Sequence, residues 1–324
     1  MDRIQGTLQG ERFARLATSL SRNLLTPVIA IVVFLAIWSA AASKIETSLG
    51  TLPGPAKVWE QTMQLYKEHQ ASREKEAAFY ERQELRNTAR IEHDPDYQPK
   101  IRPYTGAPTF FDQIGTSLLT VATGFLLASI IAIPIGIVCG MSATLYQALN
   151  PLIQVFKPVS PLAWLPLVTI VVSAVYVSDD PLFDKSFVTS AITVTLCCLW
   201  PTIINTTVGV SSVDKDLINV SRVLRLGRLT KTVKIILPSA TPMMFTGLRL
   251  SLSIGWMVLI AAEMLAQNPG LGKFVWDEFQ NGSSESLARI MVAVLAIGLI
   301  GFLLDRGMLM LQRRVTWDRN AVLR

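Results

Sequence analysis

Three ionisable side chains lie in or beside long apolar runs: Lys157, Arg249 and Glu263. A charge in hydrocarbon is costly and is retained there by partners or by function. Arg249 or Lys157 could supply positive potential to a path for an anion. Alternatively, each of the three snorkels or bonds a neighbouring helix end. Arg249 and Glu263 share one run and stand about 21 Å apart along a helix, so they do not pair with each other. Pro161, Trp164 and Trp256 lie in the same runs and complete a candidate pathway set. The stretch "KPVSPLAWLPL", Lys157 to Leu167, carries three prolines within nine residues. Proline removes backbone donors and kinks helices. Broken backbone at membrane depth has to be buried in protein or line a cavity. Asp305 and Arg306 read as a boundary pair at the end of the last apolar run.

A second set has a different character. In "SRVLRLGRLTKTVKIILPSATP", Ser221 to Pro242, a basic residue recurs every third position: Arg222, Arg225, Arg228, Lys231 and Lys234. Val220, Val223, Leu224, Leu226, Leu229 and Val233 are interleaved with them. Residues Asp216 to Pro238 fit a helix, a turn near Gly227 and a second helix closed by Pro238. The charge alone is what a cytoplasmic loop carries. A plain solvated loop would avoid the apolar residues. An amphipathic pair of this kind suits a groove on a soluble partner.

Other chemistry is missing. Cys139, Cys197 and Cys198 lie inside apolar runs and offer neither a disulfide framework nor metal-ligand spacing. His69 and His93 both fall in one polar stretch. There is no phosphate-cradling G-x-x-x-x-G-K-[ST], and the pair Gly272–Lys273 lacks both its spacing and its hydroxyl residue. No H-E-x-x-H or G-x-S-x-G appears, so no catalytic residue is expected and no metal.

The elements that must position these residues are membrane spans. Half of the 324 residues are hydrophobic and only 17% are charged, too apolar for an ordinary soluble domain. Six runs are long enough to cross about 30 Å of hydrocarbon: Leu25–Ser43, Ile114–Met141, Phe156–Tyr176, Phe187–Val210, Met243–Leu265 and Ile290–Leu311. The net charge of +6 is a property of loops here, and nucleic-acid binding is not expected. Arginines concentrate in the arm 1–24, in the loop 214–238 and in the tail 313–324. With six spans these fall on one side, the cytoplasm. "SATLYQALN" reads as a short uncharged loop. The first run could be a secretory signal followed by "SAAASK", but its apolar core is long for one and a retained helix is the expectation.

The expected organisation is a cytoplasmic arm 1–24, a first transmembrane helix 25–43, an extracytoplasmic polar insert 44–112, a core of transmembrane helices 113–312 and a cytoplasmic tail 313–324. From Lys67 to Arg102 the insert carries eight basic and eight acidic residues. Lys67 to Glu92 lacks Gly and Pro and reads as an exposed helix, and "HDPDYQPKIRPYTGAPT" as its irregular return. The insert is a solvated decoration, or a lid or docking surface for an external partner. In the second run, Gly136 and Gly140 permit close helix approach.

The stretch "NVSRVLRLGRLTKTVKIILPSATP" resembles the EAA loop of bacterial ABC importer permeases. Aligned on Leu237 and Pro238, the Glu-Ala-Ala positions fall on Asn219, Val220 and Ser221, and the glycine of the pattern falls on Arg225. Gly227 comes two places later. "LPGPAKVWEQ", "GFLLASIIAIPIGIVCG" and "KPVSPLAWLPL" resemble the branch for nitrate, bicarbonate, taurine and alkanesulfonate. "GLRLSLSIGWMVLIAAEMLAQNPGLGKFVWDEFQNGS" and "IGFLLDR" resemble its nitrate-type members. The resemblance covers most of Leu52 to Arg314. The insert from about Tyr66 to Phe110 is longer than the family leads one to expect.

This resemblance implies an all-α polytopic protein of the type I importer, MetI-like fold, with about six spans and a helical insert after the first. It implies a non-catalytic permease in a bacterial inner membrane, both termini cytoplasmic. Two permease copies, most simply identical, would enclose one pathway. Two ATPase subunits would hold the ATP and magnesium, and an extracytoplasmic binding protein would deliver a small oxyanion, nitrate or nitrite first. Asn219, Val220, Ser221, Arg222, Val223, Leu224, Arg225, Leu226 and Gly227 would form the coupling helix. Taurine or another sulfonate, bicarbonate and cyanate are alternative cargoes. Two other classes stay open on the residues alone: a gradient-driven transporter, against which no inverted repeat is seen, and a receptor built on the insert.

Overall fold

The computed structural model describes residues 25–47, 50–94, 97–99, 101–177 and 182–315. The arm 1–24 and residues 316–324 of the tail, whose arginines enter the orientation argument, lie outside the described residues. The described chain is helical apart from a two-stranded antiparallel ribbon, β1 (Glu46–Thr47) with β2 (Gly50–Thr51). Its helices are α1 (Leu25–Ala42), α2 (Pro55–His93), α3 (Phe110–Met141), α4 (Ala143–Phe156), α5 (Pro161–Val175) and α6 (Lys185–Ser211). They continue with α7 (Lys215–Val223), α8 (Arg228–Lys231), α9 (Leu237–Ala266), α10 (Leu271–Asn281) and α11 (Ser286–Val315).

Among the described residues five helices are long and apolar enough to cross a membrane: α1, α3, α6, the run Arg228–Ala266 and α11. The third expected span, Phe156–Tyr176, is different. It holds α5, which forms with the preceding α4 a broken pair bent by 99°. Ser142, within the expected loop "SATLYQALN", accepts from Leu145 N–H and starts α4 instead. At Ser160 the hydroxyl caps α5 and Pro161 occupies its first turn, where proline has no hydrogen bond to lose. At 15 residues, α5 is about 22 Å long, so it reaches membrane thickness only together with its bent partner.

The centre is α6, packed between α3 and α9. The close approach of α3 and α6 rests on absent side chains. A Cβ at Gly136 would stand 2.6 Å from Thr206 Cβ, and one at Gly140 would stand 2.5 Å from Val210 Cβ. Interhelical bonds cross the same seams. Thr195 donates to Gly124 O and Thr207 to Gly136 O. Ser251 donates to Cys198 O at 2.7 Å, tying α9 to α6. The three cysteines are buried and free.

The helix of the insert begins earlier than its charge pattern suggests. Helix α2 starts at Pro55 and runs 39 residues, about 58 Å. Its first half buries Val58 and Leu65 against the core, while charged residues run along its whole length. Residues 101–109 are irregular, as expected. The junction with the bundle is ionic: Arg289 on α11 pairs with Glu68 on α2 and, at 3.1 Å, with Glu278 on α10.

Candidate functional site

Two assemblies hold the residues with chemical potential. The first is the turn after α7. Asp214 caps α7 through the Asp216 N–H at 2.8 Å. The helix ends in paired bonds: Leu226 N–H to Ser221 O and Arg225 N–H to Arg222 O, both 3.0 Å. That is a Schellman closure, which places its residue after the cap in the left-handed region. Arg225 occupies that place at φ 45. Gly227, where the turn was expected, has φ −61 and simply precedes α8. The glycine of the aligned family pattern therefore falls on the one residue of this turn whose backbone favours glycine.

After the turn the chain does not stop at Pro238. It passes through α8 and a π-helical segment, Thr232–Ile236, directly into α9, with Pro238 in the first turn of α9. Pro238 has no N–H to bond back into the preceding turn, the π-helical segment lies just before it, and the basic segment and the membrane helix run on as one stretch, Arg228–Ala266. Ser221 is buried, and Ile218 packs with Val210, Ile236, Ala240 and Met244. The opposite side is bare: Val223 is 81% exposed and Leu229 83%, with Leu224 and Val220 also exposed. Asn219, Arg222 and Arg225 surround them, exposed as well, while Leu226 is half-buried.

The second assembly is a seam along α9. Arg249, Trp256 and Glu263 recur at seven-residue intervals, which puts them on nearly one side of the helix. Arg249 donates to Asp305 on α11 through Nε at 3.0 Å and through Nη2 at 3.0 and 3.1 Å. Asp305 is thus an interhelical partner rather than half of a boundary pair; Arg306 lies over the Phe302 ring instead, at 5.1 Å. Trp256 is buried and donates its indole N–H to Ile297 O at 2.9 Å.

Glu263 is fully buried. Its carboxylate accepts from Ser117 Oγ at 2.8 and 2.9 Å and from Gly272 N–H at 2.9 Å. Ser117 in turn accepts from Leu271 N–H at 2.8 Å. Leu271 and Gly272 are the first residues of α10, whose orphan N–H groups and dipole favour a negative charge. Asn268 adds a bond to Thr120 at 3.2 Å. Glu263 is therefore the cap of α10, fastened to α3. Of the two readings open for it, bonding a neighbouring helix end is the one its contacts match.

Lys157, Pro161 and Trp164 lie at the α4–α5 break rather than on α9. Lys157 is exposed at the end of α4, and Trp164 packs on the main core beside Phe156, ring centroids 5.8 Å apart. Phe156 also stacks on Trp200. The candidate pathway set thus divides into two groups. Ser117, Asn268 and Gly272 carry no sequence signal of their own for these roles, because their partners lie on other elements; Asp305 was visible as a charge, but its partner was not.

A family described as "Binding-protein-dependent transport system inner membrane component" matches residues 132–317. The chain belongs to that family, and it is a permease component of an ABC importer. "Nitrate import permease protein NrtB" of Synechocystis sp. is 32% identical over 91% of this chain and 90% of that protein. The protein of the same name from Leptolyngbya laminosa is 38% identical over 67% of this chain and 74% of that one. "Bicarbonate transport system permease protein CmpB" of Synechocystis sp. is 37% identical over 67% and 76%. Among solved structures, the inward-facing MetNI methionine ABC transporter superposes with a TM-score of 0.55 at 14% identity, over 64% of this chain and 96% of that one. Family membership sets aside the gradient-driven and receptor readings.

Proposed function

We propose that this chain is the membrane-spanning subunit of an ATP-driven importer of a small oxyanion, nitrate or nitrite first. The observation that carries the coupling half of the reading is the α7–α8 turn: an apolar strip of Val220, Val223, Leu224 and Leu229, left bare in the single chain and ringed by arginines. Exposed apolar strips of this kind mark a protein partner. The partner is an ATPase subunit, which binds the ATP and magnesium, since this chain carries no phosphate cradle. The cargo half rests on the identity to nitrate import permeases. Bicarbonate is the second reading, favoured by a comparable identity to a bicarbonate permease.

In this reading two copies of the chain enclose the pathway, with both termini in the cytoplasm of a bacterial inner membrane. The exposed flank of α5 and the break at Lys157 and Pro161 face that pathway. An extracytoplasmic binding protein supplies the anion. Closure of the ATPase pair draws the two turns together, and the continuous Arg228–Ala266 lever transmits the displacement to the seam at Arg249, Trp256 and Glu263. The pairing of Arg249 with Asp305 supports a part in transmission rather than in contact with the anion.

The test is ATPase activity of the complex purified through this chain, reconstituted with its binding protein and challenged with nitrate, nitrite, bicarbonate and taurine. Stimulation by nitrate or nitrite supports both halves, and stimulation by another anion alone moves the cargo. Leu224→Asp and Arg225→Glu are expected to abolish uptake while membrane insertion persists. Normal uptake in both would remove the coupling assignment.

A further inference from the structure

The second half of α2 and its return segment enclose a cavity of about 330 Å³. Three guanidinium groups line it: Arg86 and Arg90 from the helix and Arg102 from the return. No acidic side chain is among the described residues that line it. None of the three arginines is ion-paired among the described residues. In a segment where acids and bases balance, three bases have been sorted onto one hollow. From this convergence we infer that the insert holds a binding site for a small inorganic oxyanion, separate from the membrane pathway.

The walls are built before any ligand arrives. Gln83 is buried, and its Oε1 accepts the Arg102 N–H at 2.9 Å, which fixes the backbone that bears the third guanidinium. Arg90 lies over the Tyr97 ring at 5.5 Å and donates to its hydroxyl at 3.2 Å. Arg86 uses Nε on Arg82 O, which leaves its terminal nitrogens for a ligand. Behind the cavity, Tyr104 N–H donates to Tyr80 and the Phe79 and Tyr104 rings meet at 5.6 Å, holding the return against the helix. Guanidinium forks match the paired oxygens of an oxyanion and have no such match to a halide. At about 30 Å³ per water, the volume holds one such ion with several waters. The site therefore selects charge and planar or tetrahedral oxygen geometry more than size. It does not depend on the importer reading, because it concerns binding to the insert and not passage.

The experiment is calorimetric titration of the purified full-length chain in a phosphate-free detergent. Sodium nitrate, bicarbonate, sulfate and phosphate are added at constant ionic strength in chloride. Amide exchange across residues 79–102 is followed in parallel. The expected result is saturable binding of at least one oxyanion with protection confined to that segment. In Arg86→Gln/Arg102→Gln the affinity should fall about tenfold or more, with the ligand-free melting temperature unchanged because both side chains are exposed. Arg86→Lys/Arg102→Lys, which keeps the charge and loses the forks, should fall in between. Binding unaltered by the glutamine variant, the same response to chloride, or no saturable oxyanion would overturn the inference. Loss of free-ion binding on transfer to nanodiscs of phosphatidylglycerol would assign the guanidiniums to lipid phosphate and overturn it too. Failure of nitrate uptake would leave this result standing, and failure here would leave the transport reading standing.

Discussion

Replacing Glu263 by alanine separates a structural role from a transport role. The carboxylate has no exposed surface and accepts from Ser117 and Gly272. Its removal strands the buried Gly272 N–H and takes the acceptor from the Ser117 hydroxyl, which still receives Leu271 N–H. Each stranded buried group costs about 1–3 kcal/mol. Releasing a buried charge returns part of that. A net loss of about 2–4 kcal/mol is expected, or roughly 3–6 °C in melting temperature for a chain of this length. Glu263→Gln retains an acceptor for Gly272 and offers its amide to Ser117, so it should cost only about 1 kcal/mol. The neighbour supplies a second test. A Cβ at Gly270 would overlap the Glu263 carboxyl, which can yield only by breaking its bonds. Gly270→Ala should therefore destabilise the wild type, and much less so the Glu263→Ala background. The assay is a double-mutant cycle of thermal melts on the purified complex, with uptake measured alongside. An unshifted melt in Glu263→Ala together with abolished uptake would refute the capping account and return Glu263 to the pathway.

Arg249→Ala and Asp305→Ala should each lose stability, by about 1–3 kcal/mol given their partial exposure, while the double alanine recovers most of it; melts of the three variants check this. Arg225→Gly should relieve left-handed backbone worth about 1 kcal/mol and keep uptake, whereas Arg225→Val should lower both; expression and uptake are the readouts. Gly140→Val should force α3 from α6 at Val210 and reduce folded yield by size-exclusion chromatography, with Gly298→Val, which has open space, as the tolerated control.

Run length and charge placement are local properties, so the spans, the polar insert and the amphipathic basic turn were legible in the residues. An apolar run of about 20 residues has few alternatives to crossing a bilayer, and Gly136 with Gly140 announces close packing before any partner is known. The broken third span was half-legible: its prolines marked a break, but the Ser142 and Ser160 caps that make two helices of it depend on backbone angles. The departure of the α7–α8 turn from the expected glycine was visible, yet only the folded backbone shows that Arg225 itself takes the left-handed place.

The roles of the charges within the spans were not in the sequence. Asp305 stands 56 residues from Arg249, and Ser117 146 residues from Glu263. No periodicity links such positions, because their pairing is set by how α3, α10 and α11 pack around α9. The same holds for the hollow of Arg86, Arg90 and Arg102: in sequence they are bases in a neutral segment, and only the return of the chain past Gln83 brings the third beside the first two. The residues by themselves determined which segments enter the membrane and where a partner could dock. The tertiary structure decided which charges are neutralised by one another and which remain for a ligand, since a charge in low dielectric is defined by its neighbours in space.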